Sequence, residues 1–178
     1  MAKVGQPLAT QMLDFARNAE EQQRLLKAYR SHNEATHDQL IRAFPGIVDE
    51  LTALRAEGFE MGVVTSKMHA LAWRGRSEEQ VVGAAPYLGC LIGADDCAKH
   101  KPDPAPILLG CERMGARPEE CVYVGDSPFD IAAGNAAGCK TLAVTWGMFP
   151  EEKLVVENPT EIIHEVAEFS AAIQALSN

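Results

Sequence analysis

The chain has 178 residues, of which 47% are apolar and 23% are charged, and its net charge at pH 7 is −9. This length and mixture predict about one globular domain with a sizeable core, and they exclude collagen-like, coiled-coil and disordered chains. The lack of a basic surplus argues against binding to nucleic acid or to an anionic membrane surface. The sequence has no run of roughly 20 apolar residues and no signal-peptide core, so we predict a cytoplasmic protein with no membrane partner.

The first quarter of the chain has a helical pattern. Apolar residues recur at helical spacing between Leu8 and about Phe44, and the Pro45-Gly46 pair then interrupts the pattern. We therefore predict a helical region from Leu8 to about Phe44, which differs in composition and pattern from the rest of the chain.

Helix and strand patterns alternate after that interruption. The predicted strands are 59–65, 89–93, 121–125 and 140–146. The predicted helices are a segment from Ile47 to Gly58, a segment within 69–82, one from Asp103-Pro104 to Gly115, one from Ser127-Pro128 to Gly138, and an amphipathic tail helix carrying Ile162, Ile163, Val166, Phe169, Ile173 and Leu176. This alternation with short connections predicts an α/β fold with a Rossmann-like parallel sheet.

The cysteines and histidines carry no recognisable metal or redox pattern. Five cysteines contain no C-x-x-C pair, and five histidines contain no H-E-x-x-H motif. We interpret the cysteines as small buried hydrophobic residues and the histidines as surface or packing residues.

Ligands of parallel sheets bind beyond the carboxyl ends of the strands, where this sequence places several polar groups. Thr65 and Ser66 follow the first predicted strand, and hydroxyl and N–H groups at a helix start suit a phosphate. Lys101 offers a positive charge to the same space. Asp126 and Asp130, one helical turn apart, are suitable ligands for a hard cation such as Mg²⁺. Together these groups match the needs of phosphoryl transfer.

Each of these residues also has an ordinary structural interpretation. Ser127-x-x-Asp130 fits a capping box, and Thr65 or Ser66 could cap a helix. A single lysine such as Lys101 is most often a solvated side chain. A carboxylate at the end of an apolar strand, as at Asp126, needs a partner. The joint placement of all of them at one edge of one sheet favours the functional interpretation.

Three segments resemble the motifs of the haloacid dehalogenase-like hydrolases, in the phosphoglycolate phosphatase and pyrophosphatase branch. They are VVTSK at 63–67, HKPDPAP at 100–106 and VGDSPFDIAAGNAAG at 124–138, with GADD at 93–96 and AVTWG at 143–147 also similar. The resemblance implies that Thr65, with Ser66, binds phosphate, that Lys101 neutralises its charge, and that Asp126 and Asp130 hold Mg²⁺.

The first motif of that family, an apolar strand ending in D-x-D-G-T, has no counterpart here, since the chain contains no D-x-D. Its first Asp is the covalent nucleophile of the family. The resemblance therefore implies a partial helical cap over 1–44 and a core over 45–178 without its central first strand, which 59–65 and 121–125 would flank. We hypothesise a truncated or wrongly started reading frame, and an upstream coding sequence without an in-frame D-x-D-G-T would contradict this.

The expected function is Mg²⁺-dependent hydrolysis of a small phosphate monoester, similar to phosphoglycolate, in a chain that is inactive or truncated as given. Its expected partners are a small phosphorylated substrate and, through an exposed sheet edge, a second copy. The alternative is a family member that binds phosphate or a protein without turnover. A dehalogenase is a weaker alternative, because halide displacement does not need a magnesium site.

Overall fold

The computed structural model describes residues 7–40, 42–74 and 88–177. The α-helices and strands in these ranges are α1 (Leu8–Met12), α2 (Ala19–Leu40), α3 (Ile47–Ala56), β1 (Met61–Val64), α4 (His69–Arg74), β2 (Leu88–Ile92), α5 (Ala105–Met114), β3 (Val122–Gly125), α6 (Pro128–Ala137), β4 (Lys140–Val144), α7 (Glu151–Val155), β5 (Glu161–Ile163) and α8 (Phe169–Ser177). Pro118–Glu120 and Val166–Glu168 are short 3₁₀ helices. The predicted α/β fold is confirmed. No helix within these ranges is long and apolar enough to cross a membrane.

The strands form two groups of parallel strands. β1 pairs with β2, and a second sheet has the order β3-β4-β5. Because all five strands run in parallel pairings, their carboxyl ends gather at one edge of each sheet. Val64 at the end of β1 and Gly125 at the end of β3 bring the predicted site segments to that edge.

The N-terminal region is helical, as the sequence predicts. It consists of α1 and α2, and it ends before Gly46, whose φ of 84° precedes α3 and requires a residue without a side chain. The helix predicted within 69–82 begins at His69 and is described as far as Arg74, and residues 75–82 lie outside the described residues.

Capping residues and glycines in the sequence predicted the ends of helices α5 and α6 to within one or two residues. Ser127 caps α6 through a hydrogen bond from Asp130 N, and Gly138 ends that helix with a φ of 84°. The start of α5 differs slightly from the prediction, because Pro104 occupies the cap position and Asp103 accepts a hydrogen bond from Ala105 N at 3.0 Å. Asp103 is therefore a capping residue, as the sequence indicates.

The predicted tail helix is wrong in its first part. Glu161–Ile163 is strand β5, which pairs with β4, and only Phe169–Ser177 is α-helix. Ile163 is buried in the core with Phe169 and Ile173, so these residues share a surface without sharing a helix. Two adjacent β-branched residues favour a strand when a sheet edge is available to pair with them.

Strands β1 and β3 do not pair with each other in the part of the chain that the structure describes. An apolar cavity of about 700 Å³ lies between them, lined by Val63 and Val64 on one side and Val122 and Val124 on the other. That a strand of the family is missing between these two strands stays a prediction.

Candidate active site

One cavity of about 720 Å³ lies at the carboxyl ends of β1 and β3. All five residues predicted to bind phosphate or metal line it: Thr65, Ser66, Lys101, Asp126 and Asp130. Residues that are distant in the sequence therefore meet at the edge where parallel sheets bind their ligands. The helices α1 and α2 supply the opposite wall of the cavity.

The turn after β1 presents its polar groups to this cavity. The backbone N–H of Thr65 donates to Ile92 O at 2.9 Å, which continues the pairing of β1 with β2. The Thr65 hydroxyl accepts a hydrogen bond from Lys67 N at 3.2 Å, so it fixes the turn. A hydroxyl that accepts one hydrogen bond keeps its own hydrogen for a ligand oxygen.

Lys101 is a buried cation at the centre of the cavity. Its ammonium lies 2.6 Å from Asp130 Oδ1, and it contacts Val64 O and the Tyr123 hydroxyl at 3.3 Å each. Its side chain is 9% exposed. Burial opposes the charged form, but Tyr123 and Asp130 more than offset that effect and raise the pKa of Lys101. The solvated-lysine interpretation of this residue is therefore wrong.

Asp130 is held from two directions. Its Oδ1 accepts from Lys101, and its Oδ2 accepts from the Ser127 hydroxyl at 2.6 Å. The helix cap and the ion pair are therefore two functions of one cluster. A Cβ on Gly125 would lie 2.2 Å from Asp130 Cβ, so a glycine is needed for this close approach. With both oxygens engaged, Asp130 positions Lys101, and its role as a metal ligand stays a prediction.

Asp126 presents a carboxylate at the mouth of the cavity. Its Oδ2 accepts from Met148 N at 3.1 Å, and a Cβ on Gly147 would lie 2.2 Å from Asp126 Cβ. Its Oδ1 has no hydrogen-bond partner among the residues described. No cluster of three or more acidic, His or Cys side chains suited to a metal exists in the described part of the chain. One or two carboxylates still suit Mg²⁺, which takes its other ligands from water and phosphate.

The sequence analysis missed two parts of the cavity. Tyr123 of β3 lies against Lys101, and burial raises the pKa of Tyr123 to about 12, so its hydroxyl stays protonated at neutral pH. Tyr29, Arg30 and Asn33 of α2 line the opposite wall. Their helical spacing relative to Leu26 could have indicated that these residues share one face of α2 with an apolar residue, although Tyr29 is 49% exposed.

The GADD segment has a structural role. Asp95 accepts from His69 N at 2.6 Å, and Asp96 accepts from Gly93 N at 2.7 Å and contacts His69 Nδ1 at 2.5 Å. The hydrogen bonds from His69 and from Gly93 lower the pKa of Asp96 to about 2. These contacts tie the end of β2 to the start of α4 and so support the turn that carries Thr65.

The family model of haloacid dehalogenase-like hydrolases matches residues 2–144 of this chain. The chain belongs to that family. The chain is similar in sequence to members of the pyrophosphatase and phosphoglycolate phosphatase branch. The pyrophosphatase PpaX of Bacillus pumilus is 32% identical over 151 residues, and the phosphoglycolate phosphatase of Escherichia coli is 34% identical over 157 residues. The alignments cover 85% and 87% of this hydrolase and 68% and 61% of those proteins.

Solved structures confirm the fold of the hydrolase. A haloacid dehalogenase-like hydrolase from Bacteroides fragilis superposes with a TM-score of 0.77 at 26% identity, covering 91% of this chain and 77% of that one. A hydrolase from Pseudomonas syringae gives a TM-score of 0.82 at 18% identity, covering 99% of this chain and 81% of that one. The Rossmann-like architecture predicted from the sequence is thereby confirmed.

Proposed function

We propose that this chain carries the phosphate- and metal-binding groups of a Mg²⁺-dependent phosphatase that acts on small phosphate monoesters. The observation that carries the proposal is the buried, charged Lys101, which shares one cavity with Thr65, Ser66 and Asp126. A phosphoryl group bound there has a cation, a hydroxyl and backbone N–H groups within reach, and these neutralise and orient it.

Each residue of the cavity has a distinct proposed role, which follows from its position and contacts. Lys101 neutralises phosphoryl charge, and Asp130 keeps it in place through the 2.6 Å contact. Thr65 and Ser66 orient the phosphoryl oxygens. Asp126, with Asp130 as its acidic neighbour, would hold Mg²⁺, which supplies charge neutralisation to a phosphoryl group when it is bound. Helices α1 and α2 line the opposite wall of the cavity.

Of the two relatives' names, phosphoglycolate phosphatase names a phosphate monoester, whereas pyrophosphatase names a phosphoanhydride. A pyrophosphatase and a phosphoglycolate phosphatase both act on small phosphorylated compounds, as their names state. We propose the same class for this chain, with a preference for compounds similar to phosphoglycolate. Both relatives are named as enzymes, so a member that only binds phosphate or a protein is less well supported.

Phosphate binding measured by titration calorimetry tests this proposal. We expect inorganic phosphate to bind more tightly when Mg²⁺ is present. Lys101→Ala should remove phosphate binding with and without the metal, whereas Asp126→Asn should remove only the gain that Mg²⁺ provides. Phosphate binding that is independent of Lys101 would contradict the proposed role of that residue.

Turnover of p-nitrophenyl phosphate is a separate measurement. Loss of a covalent nucleophile removes many orders of magnitude of rate and leaves only positioning and charge stabilisation. Because this chain contains no D-x-D, we expect turnover near the background rate. Clear Mg²⁺-dependent activity that Asp126→Asn abolishes would mean that another carboxylate or a partner chain supplies the nucleophile.

A further inference from the structure

Tyr123 is a polar side chain of the cavity that lies beside Lys101. Its hydroxyl is 3.3 Å from the Lys101 ammonium, and both residues line the cavity at the strand ends. The Tyr123 side chain is mostly buried, and burial raises its pKa to about 12. The phenol is therefore neutral at physiological pH and keeps its hydrogen.

The contact with Lys101 leaves that hydrogen unused. An ammonium has three donors and no acceptor, so Lys101 donates and the Tyr123 oxygen accepts. Within the ranges that the structure describes, no backbone or side-chain oxygen accepts the hydrogen of the Tyr123 hydroxyl. A mostly buried donor without an acceptor costs free energy, and a ligand oxygen in the cavity would remove that cost.

The position of the Tyr123 hydroxyl is fixed by the packing of the ring. Tyr123 pairs with Thr141 of β4, and it packs against the core cluster that includes Ile107 and Ala133. Gly134 of α6 allows this packing, because a Cβ there would lie 3.1 Å from Tyr123 Cδ1. A side chain that is already held in place loses little conformational entropy when it binds a ligand.

A phosphoryl oxygen at Lys101 lies within reach of the Tyr123 hydroxyl. Asp130 Oδ1, Val64 O and the Tyr123 oxygen accept the three donors of the ammonium, the last two at 3.3 Å. An anionic oxygen is a stronger acceptor than a phenol oxygen, so it takes over the long contact with Tyr123. The Tyr123 hydroxyl, released as an acceptor, then turns its hydrogen towards the same phosphoryl oxygen.

We propose that Tyr123 is a phosphate-binding residue whose hydroxyl donates a hydrogen bond to the phosphoryl oxygen that Lys101 neutralises. This inference rests on the proposed function, because it requires a phosphoryl group at Lys101. Tyr123 is then a second hydroxyl donor of the site. It reaches the phosphoryl group from β3, whereas Thr65 reaches it from the turn after β1.

Titration calorimetry of methylphosphonate at saturating Mg²⁺ tests the proposal in the wild-type chain and in Tyr123→Phe. Methylphosphonate cannot be hydrolysed, and its phosphonate is its only anionic group. We expect Tyr123→Phe to bind it about 10-fold to 100-fold more weakly, since the lost hydrogen bond has a charged acceptor.

Thr141→Val is the matched control, because Thr141 lies opposite Tyr123 in the strand pairing and does not line the cavity. Its buried hydroxyl donates to Asn135 Oδ1 and accepts from Thr160 N, so this variant also loses a buried hydroxyl of the same sheet. We expect it to be less stable in urea and to keep the wild-type affinity for methylphosphonate. Circular dichroism shows that both variants are folded under the conditions of the titration.

Tyr123→fluorotyrosine, with the fluorine next to the hydroxyl, distinguishes a donor from an acceptor. The fluorine makes the phenol more acidic, and therefore a stronger hydrogen-bond donor and a weaker acceptor. Because burial raises the pKa of Tyr123 to about 12, the fluorinated phenol also stays protonated at neutral pH. We expect this variant to bind methylphosphonate more tightly than the wild type.

The failures of the two proposals differ. If wild type and Tyr123→Phe bind methylphosphonate equally, or if Thr141→Val weakens binding as much as Tyr123→Phe, the role of Tyr123 is wrong and the proposed function stands. Equal or weaker binding by the fluorinated chain also overturns the donor role and leaves Tyr123 as an acceptor that holds Lys101. If methylphosphonate does not bind the wild-type chain at all, the proposed function is wrong, and the role of Tyr123 falls with it.

Discussion

Replacing Lys101 with Met is expected to destabilise the fold by about 3 to 5 kcal/mol, because it leaves Asp130 buried without its counter-charge. Both side chains are 9% exposed, and their charged atoms are 2.6 Å apart. At an effective dielectric constant of about 20, this separation corresponds to an attraction of roughly 6 kcal/mol. The cost of burying both charges cancels part of it.

The reverse change, Asp130→Asn, should have a cost of similar size. It removes the counter-charge of the buried Lys101 ammonium, which keeps only neutral acceptors: the new amide oxygen, and Val64 O and the Tyr123 hydroxyl at 3.3 Å each. The double variant Lys101→Met with Asp130→Asn removes both charges at once. We therefore expect its loss of stability to be smaller than the sum of the two single losses by at least about 1.5 kcal/mol.

Urea unfolding followed by circular dichroism measures these free energies, provided that the urea dependence of the free energy stays the same in all variants. A typical domain has only about 5 to 15 kcal/mol of stability, so each single change should lower the unfolding midpoint clearly. A coupling below about 0.5 kcal/mol, which is typical of exposed ion pairs, would refute the reasoning.

The remaining predictions concern other parts of the fold. Gly147→Ala should lower the free energy of unfolding by about 1 to 3 kcal/mol, because the new Cβ would lie 2.2 Å from Asp126 Cβ. It should also weaken Mg²⁺ binding measured by calorimetry, and an unchanged affinity would contradict the importance of this contact. Hydrogen bonds lower the pKa of Asp96 to about 2, so its contribution to stability is present above about pH 4 and is lost as the pH falls towards 2. The difference in unfolding free energy between wild type and Asp96→Asn should therefore shrink between about pH 4 and pH 2. A constant difference would refute the assignment. Burial raises the pKa of Cys121 to about 11, so mass spectrometry should find it alkylated at least about 100-fold more slowly than free cysteine at pH 8, with partly exposed Cys97 modified first. Self-association through the edges of β1 and β3, which have no further strand partner among the described residues, should appear as concentration-dependent sedimentation, and a single monomeric species at every concentration would exclude it.

Local chemistry explains why much of the fold could be predicted. The Ser127-Pro128 pair and Gly138 bound helix α6 as predicted, because capping and a positive φ depend on neighbouring residues alone. The tail could not be predicted in the same way. Ile162 and Ile163 fit a helical pattern as well as a strand, and the choice depends on β4, which lies elsewhere in the chain.

The site shows the same division between local and distant effects. Thr65, Ser66 and Asp126 could be placed at the strand ends, since parallel strands end at a common edge. The pairing of Lys101 with Asp130 joins residues 29 positions apart, and no local pattern encodes it. The capping box accounts for the contact of Asp130 with Ser127, three positions earlier, but it does not indicate the contact of Asp130 with Lys101.

The most direct test of the central claim is whether metal and phosphate meet at one site. Mn²⁺ can replace Mg²⁺ as a paramagnetic probe that accelerates the ³¹P relaxation of nearby phosphorus. With methylphosphonate as the ligand, we predict strong relaxation enhancement in the wild-type chain, loss of the enhancement in Asp126→Asn, and loss of ligand binding in Lys101→Ala. Equal enhancement in the wild type and in Asp126→Asn, or bound ligand without any enhancement, would contradict the account.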